Sequence, residues 1–282
     1  MKALKLFLVV FVSLLIVKAS FAQSDIIKEQ TLETNYGKDL VVSAPAGDVN
    51  ITTWNKEQVY VKISGNENAK NKYDFTINSN SGNIEVKAEK KDKNNEKDIK
   101  LKLEISVPDK FNAKVSTAGG DIKITNSLTG DIKLNTAGGD IEVSSAIGNC
   151  KFNTAGGDIN VISFKGDVKA NTAGGDIRLN GSDGELKVNT AGGKIDVTYK
   201  GENKEISLNS MAGDITLSIP SDYKANCKLM TMNGDIKSDI TIARENQKDN
   251  PAMKNQVVGT INGGGKSLNC STMSGNIFIK SN

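Results

Sequence analysis

The chain has 282 residues, with 36 Lys and Arg against 33 Asp and Glu, no His, 27 Gly and 3 Cys. The absence of His excludes His-based triads, His-ligated zinc and imidazole acid–base chemistry, and the two arginines, Arg178 and Arg244, are too few for a multi-arginine clamp on phosphate or carboxylate. The formal +3 resides in Lys2, Lys5 and Lys18; beyond residue 22 the basic and acidic residues balance at 33 each, without the basic stripe of a nucleic-acid protein.

Residues 1–22 read as a secretory signal. Lys2 and Lys5 charge the start, residues 6–17 are apolar apart from Ser13, and Ala19-Ser20-Phe21-Ala22 resembles a cleavage site. The apolar run is short of the roughly 20 residues that span a bilayer, and no Cys follows it to carry a lipid anchor. Cleavage between Ala22 and Gln23 is expected, leaving no stable membrane anchor and a periplasmic, extracellular or cell-surface protein.

Residues 23–114 read as an irregular solenoid and cap. Gly47-Asp48-Val49-Asn50-Ile51 and Gly82-Asn83-Ile84-Glu85-Val86 each join a Gly corner to apolar–polar alternation, the mark of a half-buried strand. Further strands are expected at 58–63 and 100–107, and the lysine-rich stretch 87–102 reads as a solvated hairpin tip. The intervals Asp48 to Asn83 and Asn83 to Asp121, 35 and 38 residues, suggest two coils each.

Residues 115–220 carry the clearest signal. Thr-Ala-Gly-Gly recurs at Thr117, Thr136, Thr154, Thr172 and Thr190, spaced by 19, 18, 18 and 18 residues. Asp121, Asp140, Asp158, Asp176 and Lys194 follow the glycine pairs, and Asp131, Asn149, Asp167 and Glu185 follow single glycines halfway between. A unit of one short strand and one corner cannot bury its apolar face alone. Stacked units can, each strand bonding to its copy one period on, at about 4.8 Å. The expected fold is all-β: a parallel β-solenoid of about 18-residue coils with two short strands each, right-handed by analogy. Parity places Ile122, Ile124, Ile132, Leu134, Ile141, Val143, Ile159, Val161, Val168, Ile177, Leu179, Leu186, Val188, Ile195 and Val197 in the core.

Residues 221–282 read as C-terminal coils and a cap, with a polar insertion containing Pro251 at 244–254. Cys150, Cys227 and Cys270 sit at apolar-parity positions and are expected as buried free thiols, pairing of Cys227 with Cys270 being the alternative.

The segment Ala44-Pro45-Ala46-Gly47-Asp48-Val49-Asn50-Ile51 with Trp54, then Ile105-Ser106-Val107-Pro108, the Thr-Ala-Gly-Gly-Asp array, and the ending Ile261-Asn262-Gly263-Gly264-Gly265 with Ser274-Gly275-Asn276-Ile277 resemble a bacterial family of exported putative adhesins, a domain of unknown function. The resemblance covers nearly the whole chain after the signal. It implies a β-helical exported protein and carries no catalytic residues with it.

Three chemistries compete with a scaffold. The repeated Asp suggests a calcium roll, but Asp directly after a glycine pair offers few converging oxygens where calcium wants six to eight. The Asn-Thr columns suggest ice binding, yet each Thr precedes a glycine corner, where it is better placed to satisfy backbone groups. A polysaccharide lyase or hydrolase needs carboxylates flanking a cleft, and here they form regular surface ladders. The reading is therefore a non-catalytic exported scaffold without metal, cofactor or catalytic residues. Its ligand is unknown from sequence, the leading partner class being cell-surface material such as glycan or an envelope protein, and not nucleic acid; a carbohydrate-active β-helix enzyme, lyase or hydrolase, is the alternative.

Overall fold

The computed structural model describes residues 25–91, 98–202, 204–245 and 255–282. The expected signal and nearly all of the 244–254 insertion fall outside the described residues. The N-terminal elements are β1 (Asp25–Glu33), β2 (Asp39–Ala44), β3 (Asp48–Trp54), β4 (Gln58–Gly65), helix α1 (Glu67–Lys72), β5 (Tyr73–Asn80), β6 (Asn83–Lys90) and β7 (Leu101–Pro108). The central ones are β8 (Asn112–Thr117), β9 (Ile122–Thr129), β10 (Ile132–Asn135), β11 (Ile141–Ile147), β12 (Cys150–Asn153), β13 (Ile159–Lys165), β14 (Val168–Asn171), β15 (Ile177–Ser182), β16 (Leu186–Thr190), β17 (Ile195–Tyr199), β18 (Ile206–Ser210) and β19 (Ile215–Ile219). The chain ends with β20 (Ala225–Thr231), β21 (Ile236–Ser238), β22 (Ile242–Arg244), β23 (Gln256–Ile261), β24 (Lys266–Thr272) and β25 (Ile277–Ser281).

From β8 to β19 the strands alternate between two sheets, so each coil gives one strand to each, and every strand pairs in parallel with its copy one coil later. Ile132 stands beside Cys150 and Cys150 beside Val168; across the core Ile141 stands beside Ile159 and Ile159 beside Ile177. Every residue assigned to the core by parity is buried, none more than 3% exposed. The strands of the first sheet continue past an irregularity and add a third inward column, Leu128, Ala146, Phe164, Gly181 and Tyr199. Phe164 fits because its neighbour lacks a side chain: a Cβ on Gly181 would lie 2.4 Å from the Phe164 ring.

The ends depart from the regular stack. The first sheet runs β1-β4-β7-β3-β9-β11-β13-β15-β17-β19-β25-β21, and the second runs β22-β23-β20-β24-β18-β16-β14-β12-β10-β8-β2-β6-β5. Strands β1, β4, β5, β22 and β23 pair antiparallel with their neighbours and close the stack at its ends. This corrects the expectation of two coils between successive Gly-Asp signals near the N-terminus. Val49 of β3 pairs directly with Ile122 of β9, whereas Asn83 begins a strand of the other sheet. The stretch 87–102 is not a hairpin tip either. Its flanking strands β6 and β7 belong to different sheets and do not pair with each other; residues 92–97 lie outside the described residues.

Both ends contain a coil that is out of sequence. β2 and β3 lie between β6/β7 and β8/β9, and β24 and β25 lie between β18/β19 and β20/β21. The final coil is therefore enclosed by two coils that precede it in the chain. None of the described helices is long and apolar enough to cross a membrane.

Corner ladders and a candidate binding face

The corner residues form three ladders. In the first, each Asp after a glycine pair accepts the backbone N–H of the equivalent residue in the next coil. Oδ1 of Asp121, Asp140, Asp158 and Asp176 receives the N–H of Asp140, Asp158, Asp176 and Lys194 at 2.7–2.8 Å. Asp121 N–H is likewise donated to Asp48, 73 residues earlier. These carboxylates are surface groups whose inner oxygen is engaged with the backbone, as expected for structural corner residues.

In the second ladder the Thr of each Thr-Ala-Gly-Gly is buried. Thr154 Oγ1 donates to the Gly139 carbonyl at 2.9 Å and accepts from Gly157 N–H at 3.2 Å. Thr136, Thr172 and Thr190 repeat the pattern, and Ser210 takes the same place in its coil. A hydroxyl turned inward to the backbone cannot present an ice-ordering surface, which removes the physical basis of that alternative. In the three C-terminal coils Met211, Met273 and Met232 replace the corner Ala and stand exposed.

The third ladder lies on the outer face of the second sheet. Asn153, Asn171, Asn189 and Asn209 each donate a side-chain N–H to the Asn one coil before, at 2.8–3.0 Å, starting from Asn135. Beside it runs a row of lysines. Lys114, Lys133, Lys151, Lys169 and Lys187 are consecutive register partners on β8, β10, β12, β14 and β16, all exposed. Among the described residues only Lys187 has an ion-pair partner, Glu185 at 3.9 Å. On the other side of the lysines Asp131, Asn149, Asp167 and Glu185 form the corner row. A groove of about 520 Å³ lies along these residues from Asp39 to Lys187, its floor formed by the sheet at Leu40, Ala113, Ile132, Cys150 and Val168.

The outer face of the first sheet is arranged differently. Its corresponding column runs Glu104, Asn50, Lys123, Glu142, Asn160, Arg178 and Asp196. Lys123 meets Glu142 at 2.6 Å and Arg178 meets Asp176 at 3.2 Å. Glu104 lies between Lys102 at 2.9 Å and Lys62 at 3.3 Å, and the hydrogen bond from Lys102 holds its carboxyl below the usual value. One face is internally compensated; the other carries five like charges in succession. The sequence reading missed this row, although its signal was present: Lys follows the first inward residue of each half-unit at the coil spacing.

All three cysteines are buried and free. Burial pushes the Cys150 thiol up to about 12 and raises Cys227 and Cys270 as well. Cys227 pairs with Leu268 and Cys270 with Leu229, a diagonal that separates the two Cα atoms by about 8 Å, beyond disulfide reach. Among the described residues no group of three His, Cys, Asp or Glu side chains is arranged to hold a metal ion.

The profile of the Toastrack DUF4097 family matches residues 38–280, from just before β2 to the last strand, leaving out β1 of the N-terminal cap. The chain belongs to the Toastrack DUF4097 family. No curated protein matches it. Among solved structures similar to this Toastrack chain, a putative cell adhesion protein from Clostridium sporogenes is 15% identical, with 90% of this chain and 99% of that one covered and a TM-score of 0.31. A putative adhesin from Parabacteroides merdae is 12% identical over 89% of this chain and 95% of its own, with a TM-score of 0.46. A putative lipid binding protein from Parabacteroides distasonis is 12% identical over 89% and 96%, also at 0.46.

Proposed function

We propose that the protein is a non-catalytic exported scaffold, an adhesin or envelope-binding protein, that engages cell-surface material along an extended face. The observation that carries this reading is the outer face of the second sheet. Of the six parallel strands in one register, β8 to β18, the four from β10 to β16 repeat an outward Lys and Asn at every step, with Lys114 and Ser116 before them and Ser207 and Asn209 after them, a repeating surface suited to a repeating partner. The corner carboxylates support it too, since their inner oxygens bond the backbone and serve the stack. Export rests on the signal at 1–22, and N-terminal sequencing of the mature protein should begin at Gln23.

The rival is a carbohydrate-active enzyme using the carboxylates along the groove. Incubating the mature protein with polysaccharides separates the two. New reducing ends or unsaturated products would overturn the scaffold reading; retention on a glycan array without turnover is the expected outcome.

A further inference from the structure

We propose that the lysine row on the second sheet is a docking track for a linear acidic polysaccharide laid along the solenoid axis, with one anionic group over each strand. This rests on the scaffold reading and names its ligand class. Like charges on directly paired strands repel, so a row of five is unfavourable for the isolated protein unless something offsets it. The same chain avoids the problem on its other face, where Lys123 is followed by Glu142 and Arg178 closes on Asp176. On the second sheet no acid stands within the lysine row itself. The corner acids Asp131, Asp167 and Glu185 line the same groove, but of these only Glu185 reaches a lysine, Lys187 at 3.9 Å. Lys114, Lys133, Lys151 and Lys169 have no ion-pair partner among the described residues. An external polyanion would supply the missing countercharge.

The geometry selects a linear polymer with regularly spaced charges. The ammonium groups are carried on stems about 4.8 Å apart, so the row extends over about 19 Å. That step is close to the advance of one sugar in an extended uronate chain, and it is fixed by the sheet rather than by flexible loops. The Asn ladder flanks the row on one side. Asn153, Asn171 and Asn189 each spend one N–H on the previous Asn and retain the other for a sugar hydroxyl or carboxylate oxygen. On the other side Asp131, Asp167 and Glu185 repel an anionic chain and confine it to the strip over Lys and Asn. The track is bounded along the axis as well: Val41 and then Glu85 follow Lys114 at one end, and Ser207 follows Lys187 at the other.

The test is binding of the mature protein to an oligogalacturonate long enough to span the row, by calorimetry at low and moderate salt. Binding is expected, weakening as salt screens the charges. The triple variant Lys133→Gln, Lys151→Gln, Lys169→Gln should bind about tenfold more weakly, each exposed charge being worth a few-fold. It should melt no lower than the parent, because the side chains point outward and the change relieves repulsion. The control Lys123→Gln, Arg178→Gln on the first sheet should bind like the parent, and the methyl-esterified oligomer should not bind. Absence of binding, equal binding by the triple variant, or equal binding of the methyl ester would overturn the proposal. So would tighter lysine-dependent binding to phosphatidylglycerol vesicles or to duplex DNA. Binding of a neutral glycan that is indifferent to the triple variant would overturn this ligand class and leave the scaffold reading standing. Turnover of any glycan would remove the scaffold reading itself.

Discussion

Thr154 satisfies two buried backbone groups with one hydroxyl, and its methyl contributes little to that task. Thr154→Val keeps the shape and leaves a carbonyl and an N–H unpaired; urea unfolding should show a loss of about 1–3 kcal/mol. Thr154→Ser should cost much less, since Ser210 already makes both bonds in its own coil. The two glycines of the corner differ just as sharply. A Cβ on Gly157 would lie 2.1 Å from the Gly139 carbonyl oxygen, backbone against backbone, whereas on Gly156 it would meet nothing closer than 3.5 Å. Gly157→Ala is expected to cost about 1–3 kcal/mol as overpacking and Gly156→Ala within about 0.5 kcal/mol. Equal effects in a melting comparison would refute the close-approach explanation. The Cys150 thiol gives a pH signature. Its folded value of about 12 exceeds the ordinary 9.0, so the folded state retains the proton longer. The associated stability is complete below pH 9 and is lost as pH rises from 9 toward 12. Alkylation at pH 8 should accordingly require unfolding, and rapid labelling of native protein would contradict this burial.

Elements in the middle of the chain were legible because sequence interval and spatial neighbour coincide there. An 18-residue step from Ile141 reaches Ile159, which is also the residue beside it. At the ends this equivalence fails. Asp48 neighbours Asp121 at a separation of 73 residues, and Asp214 neighbours Asn276 at 62. The Gly-Asp-apolar signal was read correctly as a strand start, but an interval of 35 cannot distinguish two coils from an excursion into a cap. The lysine row escaped for another reason: attention to corner glycines and inward aliphatics passes over outward positions, where register alone reveals a pattern. The last coil offers a test of element order. Removing residues 266–282 takes away the partners of Ile215 and Leu217 and of Ile206 and Leu208. Hydrogen exchange should then show protection lost in β18 to β23 and retained from β8 to β16, because each coil depends on its neighbours. Unchanged protection in β18 and β19 would mean that the final coil is not between them and β20.

Across the whole molecule the two sheets share one core and carry unlike outer faces. Repulsion along the lysine row predicts a small rise in melting temperature as salt is added, absent from the triple lysine variant; identical salt curves would argue against repulsion there. The enclosed final coil bears on the order of events during folding. β20 is synthesised before β24, and when it emerges the parallel edge it meets is β18, just as each strand from β10 to β19 met its copy one coil earlier. Docking there would build a stack in simple chain order and leave residues 266–281 with no place to enter. Chain order thus offers β20 a first partner, β18, that the native stack replaces with β24. Escape from the first requires β20 to release β18 and admit β24. Refolding should therefore show a slow phase that is independent of proline isomerisation. Moving residues 266–281 to follow Pro220 would make chain order and stacking order agree and should abolish that phase.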